Sequence, residues 1–280
     1  MLSNFNIDSI IRTALAEDIN YIDLTTDLLI DPESYTHASL VAKADGVLAG
    51  IDVALRAFCF EDDRLICTKL IDDCTVIKSG DIIAEIEGPT ASILKTERTA
   101  LNILSHMCGI ATYTKKCVDA IADYDCQITD TRKTLPGLRP LQKYSVLCGG
   151  GTNHRYNLSA AAMIKDNHID AYGSVSNAIE TLRERAGHMV VIEVEVRDLD
   201  ELKQAIEAGA LVIMLDNFDK AMLKEAVKFT AGRAILEVSG NITLENINEI
   251  AKTGIPIISI GALTHTVKAL DISLRIDKSS

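Results

Sequence analysis

Tryptophan is absent from this 280-residue chain, and all aromatics together make up only 4% of it. The core must therefore be aliphatic. Positive charge is in short supply: Lys+Arg 28 against Asp+Glu 40 gives a formal net charge of −12. A chain this acidic repels phosphodiester backbones, which sets nucleic acid aside as a partner. No apolar run reaches the ~18 to 20 residues a membrane span needs. Residues Met1 to Asp8 carry neither a basic nor an apolar leader segment, so no secretory signal is expected. The seven cysteines, Cys59, Cys67, Cys74, Cys108, Cys117, Cys126 and Cys148, contain no C-x-x-C and are odd in number. That spacing disfavours both a disulfide framework and a zinc site, and fits reduced thiols in a cytoplasm.

What is present points to a globular α/β protein. Hydrophobic residues are 48% and charged residues 24%, ordinary for a folded chain with one large domain or two modest ones. The second half has a rhythm. Met189–Val196, Leu211–Leu215, Ala234–Val238 and Ile255–Ile260 are nearly continuous apolar runs, as expected of parallel strands buried on both faces. Helical patterns separate them. Asp198-Leu-Asp-Glu201 has the form of an acidic N-cap, Gly209 follows that helix, and Lys220–Phe229 and Leu244–Lys252 repeat the 3.6-residue period. Polar residues recur late in the strands: Glu195, Asp216, Glu237 and Ser259. Parallel strands with right-handed crossovers bring their C-terminal ends to one edge, so these groups converge, as at the mouth of a (β/α) barrel. Runs near Gln127–Asp130 and Ala161–Lys165 extend the set to at least six strands.

The first hundred residues read differently. Ile10–Asp18 is an amphipathic helix. Ala38–Leu48 and Leu65–Ile86 alternate, with turn signals at Asp45-Gly46 and Ser79-Gly80-Asp81, which indicates a small antiparallel sheet. A helical pattern from Thr96 to Ala122 is interrupted near Gly109. The expected division is therefore 1–108 and 109–269.

The densest chemical signal runs from Asp130 to His168. Arg132, Lys133, Arg139, Lys143, Arg155 and Lys165 are six cations against Asp130 and Asp166, so this stretch is +4 within a chain of −12. A solvated charged face accounts for Lys143. It accounts poorly for Arg132-Lys133 closing a strand and for Lys165 directly after the apolar Ala160–Ile164. Cations aimed into a barrel mouth are costly unless an anion joins them. Glu195, Asp216 and Glu237 face them, and such carboxylates are hard oxygen ligands suited to Mg²⁺. Cys148, beside three glycines, has no base in reach of the sequence to make it a nucleophile. His37, His106, His188 and His265 read as surface or structural residues.

Several segments carry a resemblance. Thr96-Glu-Arg-Thr-Ala-Leu-Asn102, Asp130-Thr-Arg-Lys-Thr-Leu-Pro-Gly-Leu-Arg139, Gly149-Gly-Gly-Thr-Asn-His-Arg155, Ile164-Lys-Asp-Asn-His168, Ile192-Glu-Val-Glu-Val196, Met214-Leu-Asp-Asn217, Leu236-Glu-Val-Ser-Gly240 and Ser259-Ile-Gly261 occur in this order. Together they resemble the decarboxylating quinolinate phosphoribosyltransferase family, over essentially the whole chain. The resemblance implies an N-terminal open-faced α/β sandwich and a C-terminal incomplete, seven-stranded α/β barrel of TIM type, with a tail, residues 270–280, rejoining the first domain. It implies transfer of phosphoribosyl from 5-phosphoribosyl 1-pyrophosphate to quinolinate with loss of CO₂, and a need for Mg²⁺. It also implies a homodimer or larger assembly, in which Arg98 reaches the partner's site.

By the same resemblance, Arg98, Thr131, Arg132, Lys133, His154, Arg155 and Lys165 surround quinolinate. Lys133 and Lys165 also serve phosphoribosyl pyrophosphate. Glu195 and Asp216 hold ribose hydroxyls and Mg²⁺, and Ser239-Gly240-Asn241 and Ser259-Ile260-Gly261 cradle the 5′-phosphate through backbone N–H groups. Lys133, Lys165, Glu195 and Asp216 form the catalytic set. The chain departs from the family at Ala160, where Asp is usual, and at Cys108 and Ser145, where Ser and Ala are common. Two other readings stand beside this one. The molybdenum-operon phosphoribosyltransferase-like proteins share the T-R-K-T-x-P-G and H-R segments but look less similar at Ile164–His168. The Val76–Ile83 stretch resembles a strand-turn-strand of biotinyl or lipoyl carrier modules, with Lys43 the residue to modify.

Overall fold

The structure, a computed structural model, describes residues 2–276. Two compact units make up the chain. The first comprises residues up to Lys115, the segment Thr134–Gly150 and the chain from Leu263 on; the second comprises Lys116–Lys133 and Gly151–Ala262. The helix Thr90–Ala120 runs through Gly109 without a break. Gly109 serves packing instead: a Cβ there would lie 2.4 Å from the carbonyl oxygen of Lys268, which only glycine permits.

The strands in chain order are β1 (Tyr35–Ala42), β2 (Gly46–Val47), β3 (Ile66–Lys69), β4 (Val76–Ile77), β5 (Ile82–Pro89), β6 (Gln127–Thr129), β7 (Ala162–Ile164), β8 (Ile192–Val196), β9 (Val212–Asp216), β10 (Ile235–Ser239), β11 (Ile257–Ser259) and β12 (Ile272–Ile276). In the first unit β12-β1-β5-β3 form an antiparallel sheet, and β2 pairs with β4. The returning tail is thus β12 on the edge of β1, from Ala38↔Ile276 to Ala42↔Ile272; residues 277–280 of the expected tail lie outside the described residues. The alternation read over Ala38–Leu48 does not appear in the burial of β1, where Ala38 to Ala42 are all buried; Leu40 and Ala42 turn into an aliphatic core with Ile83, Ile86, Ile93 and Leu104. One aromatic ring, Phe58, joins it from the helix Ile51–Glu61, which the strand-like reading of this half had not included.

Val76–Ile83 is part of this same core, with Ile77 and Ile83 fully buried. Its local likeness to a carrier module therefore reflects a strand turn and nothing more. The segment Thr134–Gly150 joins the first unit through the helix Arg139–Cys148. Gln142 there is fully buried and donates to the carbonyl of Thr264 at 2.9 Å. Lys143 is only 3% exposed. That corrects its reading as a solvated cation: the helix face carrying it packs inward. Cys148 is buried too, and burial, with Cys74 beside it, pushes its thiol far above the ordinary range. Both features disfavour a nucleophilic role.

The second unit holds a six-stranded parallel sheet in the order β6-β11-β10-β9-β8-β7. A seventh position is reduced to one parallel bridge, Thr129↔Thr152, on the far side of β6. No ladder among the described residues joins that bridge to β7, so the barrel is incomplete. Strand bounds are shorter than the apolar runs. Met189 to Val191 stand exposed before β8, because pairing starts only where the Ala162 N–H meets the Val191 carbonyl. Val194, Val196, Ile213, Leu215, Leu236, Val238 and Ile258 are buried strand residues, and Leu202, Leu223 and Ile247 are buried on the intervening helices. The helix Leu199–Glu207 starts as its sequence promised, with the Asp198 side chain accepting from the N–H groups of Asp200 and Glu201. No helix among the described residues is long and apolar enough to cross a membrane.

Candidate active site

Alternation along each strand sets two inward layers at the C-terminal edge of the second unit. The upper layer is Lys165 after β7, Glu195 on β8, Asp216 on β9 and Ser239 on β10. Two residues earlier stand Met163, Glu193, Met214 and Glu237. The upper layer, with Met163 and Met214, lines a cavity of about 400 Å³. Thr131, Arg132 and Lys133 enter it from the loop after β6, and His154 and Arg155 from the loop after the Thr152 bridge. Nine of the residues expected at the site therefore meet in this one cavity. A larger cavity of about 620 Å³ in the first unit is lined by Glu17, Asp18 and His106 but by no Lys or Arg, so it offers nothing to a polyanion.

Local structure explains the aim of the key side chains. Lys165 sits at the N-cap of the helix Asp166–Tyr172, its own N–H donating to His168 Nδ1 at 3.0 Å. Its ammonium donates to Glu195 Oε2 at 2.5 Å, across neighbouring strands. Asp130, fully buried, accepts from the His154 N–H at 2.9 Å and from Asn153 Nδ2 at 2.8 Å, which fixes the turn that carries His154 and Arg155. Arg155 donates through Nη1 to the Ala161 carbonyl. A backbone carbonyl therefore orients this arginine next to Ala160, where the usual Asp is missing.

The electrostatics are unbalanced in one spot. The Nε atoms of Arg132 and Arg155 are buried without a hydrogen-bond partner. Burial, and then the neighbouring Arg132 charge, hold the Arg155 guanidinium below its ordinary pKa, with Glu193 acting the other way. Two adjacent guanidiniums that share a cavity, each with a buried Nε–H lacking an acceptor, form a receptor for a planar anion.

The remaining expected residues fall elsewhere. Gly240 and Asn241 form the loop after β10, with positive φ of 108° and 49°. Asn217, also at positive φ (56°), ties this loop to the acids: it donates to Asp216 Oδ2 at 2.9 Å and accepts from Asn241 Nδ2 at 3.2 Å. No helix starts there; the next one begins at Ile247. The Ile260 N–H is committed to the Thr129 carbonyl, and the Ser259 hydroxyl donates to the Val238 carbonyl. Those two groups finish the sheet, whereas Gly261 opens the helix Ala262–His265. Arg98 is exposed on the helix Thr90–Ala120 of the first unit. Glu237 does not reach the cavity as expected. It is 3% exposed in the layer below, with Glu193.

Two family models together cover this arrangement. Residues 23–108 match the N-terminal domain of quinolinate phosphoribosyl transferase, and residues 110–275 match its C-terminal domain. The chain belongs to the quinolinate phosphoribosyl transferase family. A probable nicotinate-nucleotide pyrophosphorylase (carboxylating) of Bacillus subtilis is 40% identical over 279 residues, spanning 100% of this chain and 96% of that protein. The nicotinate-nucleotide pyrophosphorylase (carboxylating) of Mycobacterium leprae is 41% identical over 283 residues, covering 98% and 99%. The solved structure of the nicotinate-nucleotide pyrophosphorylase from Francisella tularensis superposes with a TM-score of 0.94 at 41% identity, covering 99% of this chain and 98% of that one.

Within a quinolinate phosphoribosyl transferase, three residues the sequence reading left without a role now acquire a place: Asp130, Glu193 and Asn217. Each stands inside a quoted family segment. Glu193 could have been found from strand alternation alone, since it shares a face with Glu195. Asn217 had no sequence signal beyond its position after Asp216.

Proposed function

We propose that this chain joins quinolinate to 5-phosphoribosyl 1-pyrophosphate, yielding nicotinate mononucleotide, pyrophosphate and CO₂. The observation that carries the reading is the pair Arg132 and Arg155, each with a buried, unpartnered Nε, in one cavity with the carboxylates of Glu195 and Asp216. A substrate with two adjacent carboxylates suits the arginines. A sugar that develops positive charge suits the carboxylates.

In this scheme Arg132, Arg155 and His154 bind the dicarboxylate, with Thr131 beside them. Arg98 completes the pocket from the second subunit of a homodimer. Lys133 and Lys165 hold the pyrophosphate end of the other substrate, and Lys165 lies between both. The loop Ser239-Gly240-Asn241, together with Gly261, offers N–H groups to the 5′-phosphate; Ser259 and Ile260 act by holding that loop's base. Glu195 and Asp216 bind ribose hydroxyls. Their hard oxygens also fit Mg²⁺, which when bound would neutralise the leaving pyrophosphate. As the C1–pyrophosphate bond breaks, the two carboxylates stabilise the cationic ribose and the pyridine nitrogen adds to C1. Loss of the 2-carboxylate as CO₂ then leaves its bonding pair on C2, stabilised by the adjacent pyridinium charge, and a proton takes up that pair. No protein nucleophile is required. Positioning and preorganised charge supply the acceleration.

Both halves of the chain match this family, which favours quinolinate over the acceptor of a molybdenum-operon relative. The free thiols at all seven cysteines suit work in a reducing cytoplasm. The test is direct: incubate purified protein with quinolinate, phosphoribosyl pyrophosphate and Mg²⁺ and follow nicotinate mononucleotide. Nicotinate, lacking the 2-carboxylate, should turn over poorly in parallel. Equal turnover of both would defeat the reading.

A further inference from the structure

Beneath the cavity lies a buried acidic pocket that the proposed reaction does not use. His154 Nε2 is 2.8 Å from Glu193 Oε2 and 3.7 Å from Glu237 Oε1. The donor atoms of all three lie within 4.8 Å of one another. Glu193 and Glu237 are 5% and 3% exposed. Each keeps one carboxylate oxygen, Oε1, with no hydrogen-bond partner. Two ionisable groups this deep are retained against a large desolvation cost, so something must hold them. The nitrogen 2.8 Å from Glu193 belongs to a residue that also lines the substrate cavity.

Their positions follow from the strands. Glu193 precedes Glu195 by two residues on β8, and Glu237 precedes Ser239 by two on β10. Alternation makes each a floor under a cavity residue. Asp130 anchors the main chain of His154 from a third side. The N–H directions of an imidazole diverge, so fixing Nε2 downward decides where the ring edge carrying Nδ1 can aim.

We infer that Glu193, supported by Glu237, is a positioning residue for quinolinate: it grips His154 from below, so that the imidazole meets the substrate carboxylate in a fixed orientation. The inference rests on the reading of His154 as a quinolinate ligand. It assigns the lower acidic layer to substrate affinity and not to folding or to Mg²⁺. A carboxylate partner orienting a histidine from behind is a general device for fixing both tautomer and charge. Burial and the Glu193 charge push the Glu237 carboxyl up to about 7. Glu193 at 2.8 Å is thus the principal anchor and Glu237 the second.

The experiment is a double-mutant cycle on the full-length protein, with KM for each substrate and kcat measured separately. Glu193→Leu is expected to raise the quinolinate KM at least tenfold and leave the phosphoribosyl pyrophosphate KM within twofold. Glu193→Gln, which keeps an acceptor for Nε2–H and preserves the volume, should fall between wild type and Glu193→Leu. Glu237→Gln should raise the same KM by a smaller factor. In a His154→Ala background the further loss from Glu193→Leu should vanish, since its target is gone. Losses that multiply, or a Glu193→Gln protein impaired equally toward both substrates, would overturn the inference. A stoichiometric metal ion that copurifies with wild type and is missing from Glu193→Gln would also overturn it, in favour of a ligand set. If His154→Ala itself left the quinolinate KM unchanged, the assignment of His154 to quinolinate would be what fails.

Discussion

Lys165 and Glu195 close on each other across β7 and β8, with the ammonium 2.5 Å from Oε2. The lysine side chain is 44% exposed and the glutamate 13%. An ion pair half open to solvent contributes little to stability, so its presence at the cavity mouth is better explained by chemistry. Lys165→Ala should therefore fold normally, with a melting temperature within a few degrees of wild type, and lose at least about 10²-fold in kcat, the usual cost of one preorganised electrostatic contact. Near-normal turnover would remove Lys165 from the reaction.

Arg155 offers a sharper test of the dicarboxylate pocket. Arg155→Lys keeps the charge but loses the planar fork. A hydrogen bond to a charged group contributes about 1.5–3 kcal/mol, and about 1.4 kcal/mol is a factor of ten. The quinolinate KM should rise by about one to two orders of magnitude, with the phosphoribosyl pyrophosphate KM within twofold. Isothermal titration with quinolinate alone gives the same number free of the second substrate. An unchanged affinity would mean the fork is not used.

Much of this was legible before any coordinates. Continuous apolar runs and period-3.6 patterning locate β8 to β11 and the helices between them, because strands buried on both faces are nearly all apolar. The +4 stretch singled out Arg132, Lys133, Arg155 and Lys165 from a chain of opposite charge. What stayed hidden is non-local. The same stretch divides between the two units, so Arg139 and Lys143 leave the cavity although they are near Lys133 in sequence. Charge counting cannot see that. Nor can it see depth: Glu237 looked equivalent to Glu195 by spacing, but one more step of strand alternation lowers it beneath the cavity.

Depth gives Glu237 a pH signature. Its folded pKa, near 7, lies above the ordinary carboxylate value, chiefly through burial and then through the Glu193 charge. A raised value means the folded state holds the proton more tightly. The contribution is then full below the unfolded pKa, around 4.3, and is lost as pH rises through 7. His106, lowered by burial, acts with the opposite sign near its own range. Comparing Glu237→Gln with wild type cancels His106. The melting-temperature difference, variant minus wild type, should climb between pH 5 and 7 and level off by pH 8. A flat difference across that range would show Glu237 ionised throughout.

The loop after β10 is built around a contact that only glycine allows. Gly240 has φ 108°, and a Cβ there would lie 2.1 Å from Asn217 Oδ1. Asn217 cannot yield freely, since its amide nitrogen donates to Asp216 Oδ2 and its oxygen accepts from Asn241. Gly240→Ala should therefore act on Asp216 through Asn217. The strained backbone costs about 1–3 kcal/mol, and the displaced amide leaves a cavity carboxylate short of a hydrogen bond. We expect a lower melting temperature and at least a tenfold rise in the phosphoribosyl pyrophosphate KM, with quinolinate affinity nearly unchanged. Adding Asn217→Ala removes the clash but not the missing hydrogen bond. The double variant should regain part of its thermal stability while its KM stays high. If stability and KM recovered together, Asn217 would be a spacer only, and the orientation of Asp216 would have to come from the strand itself.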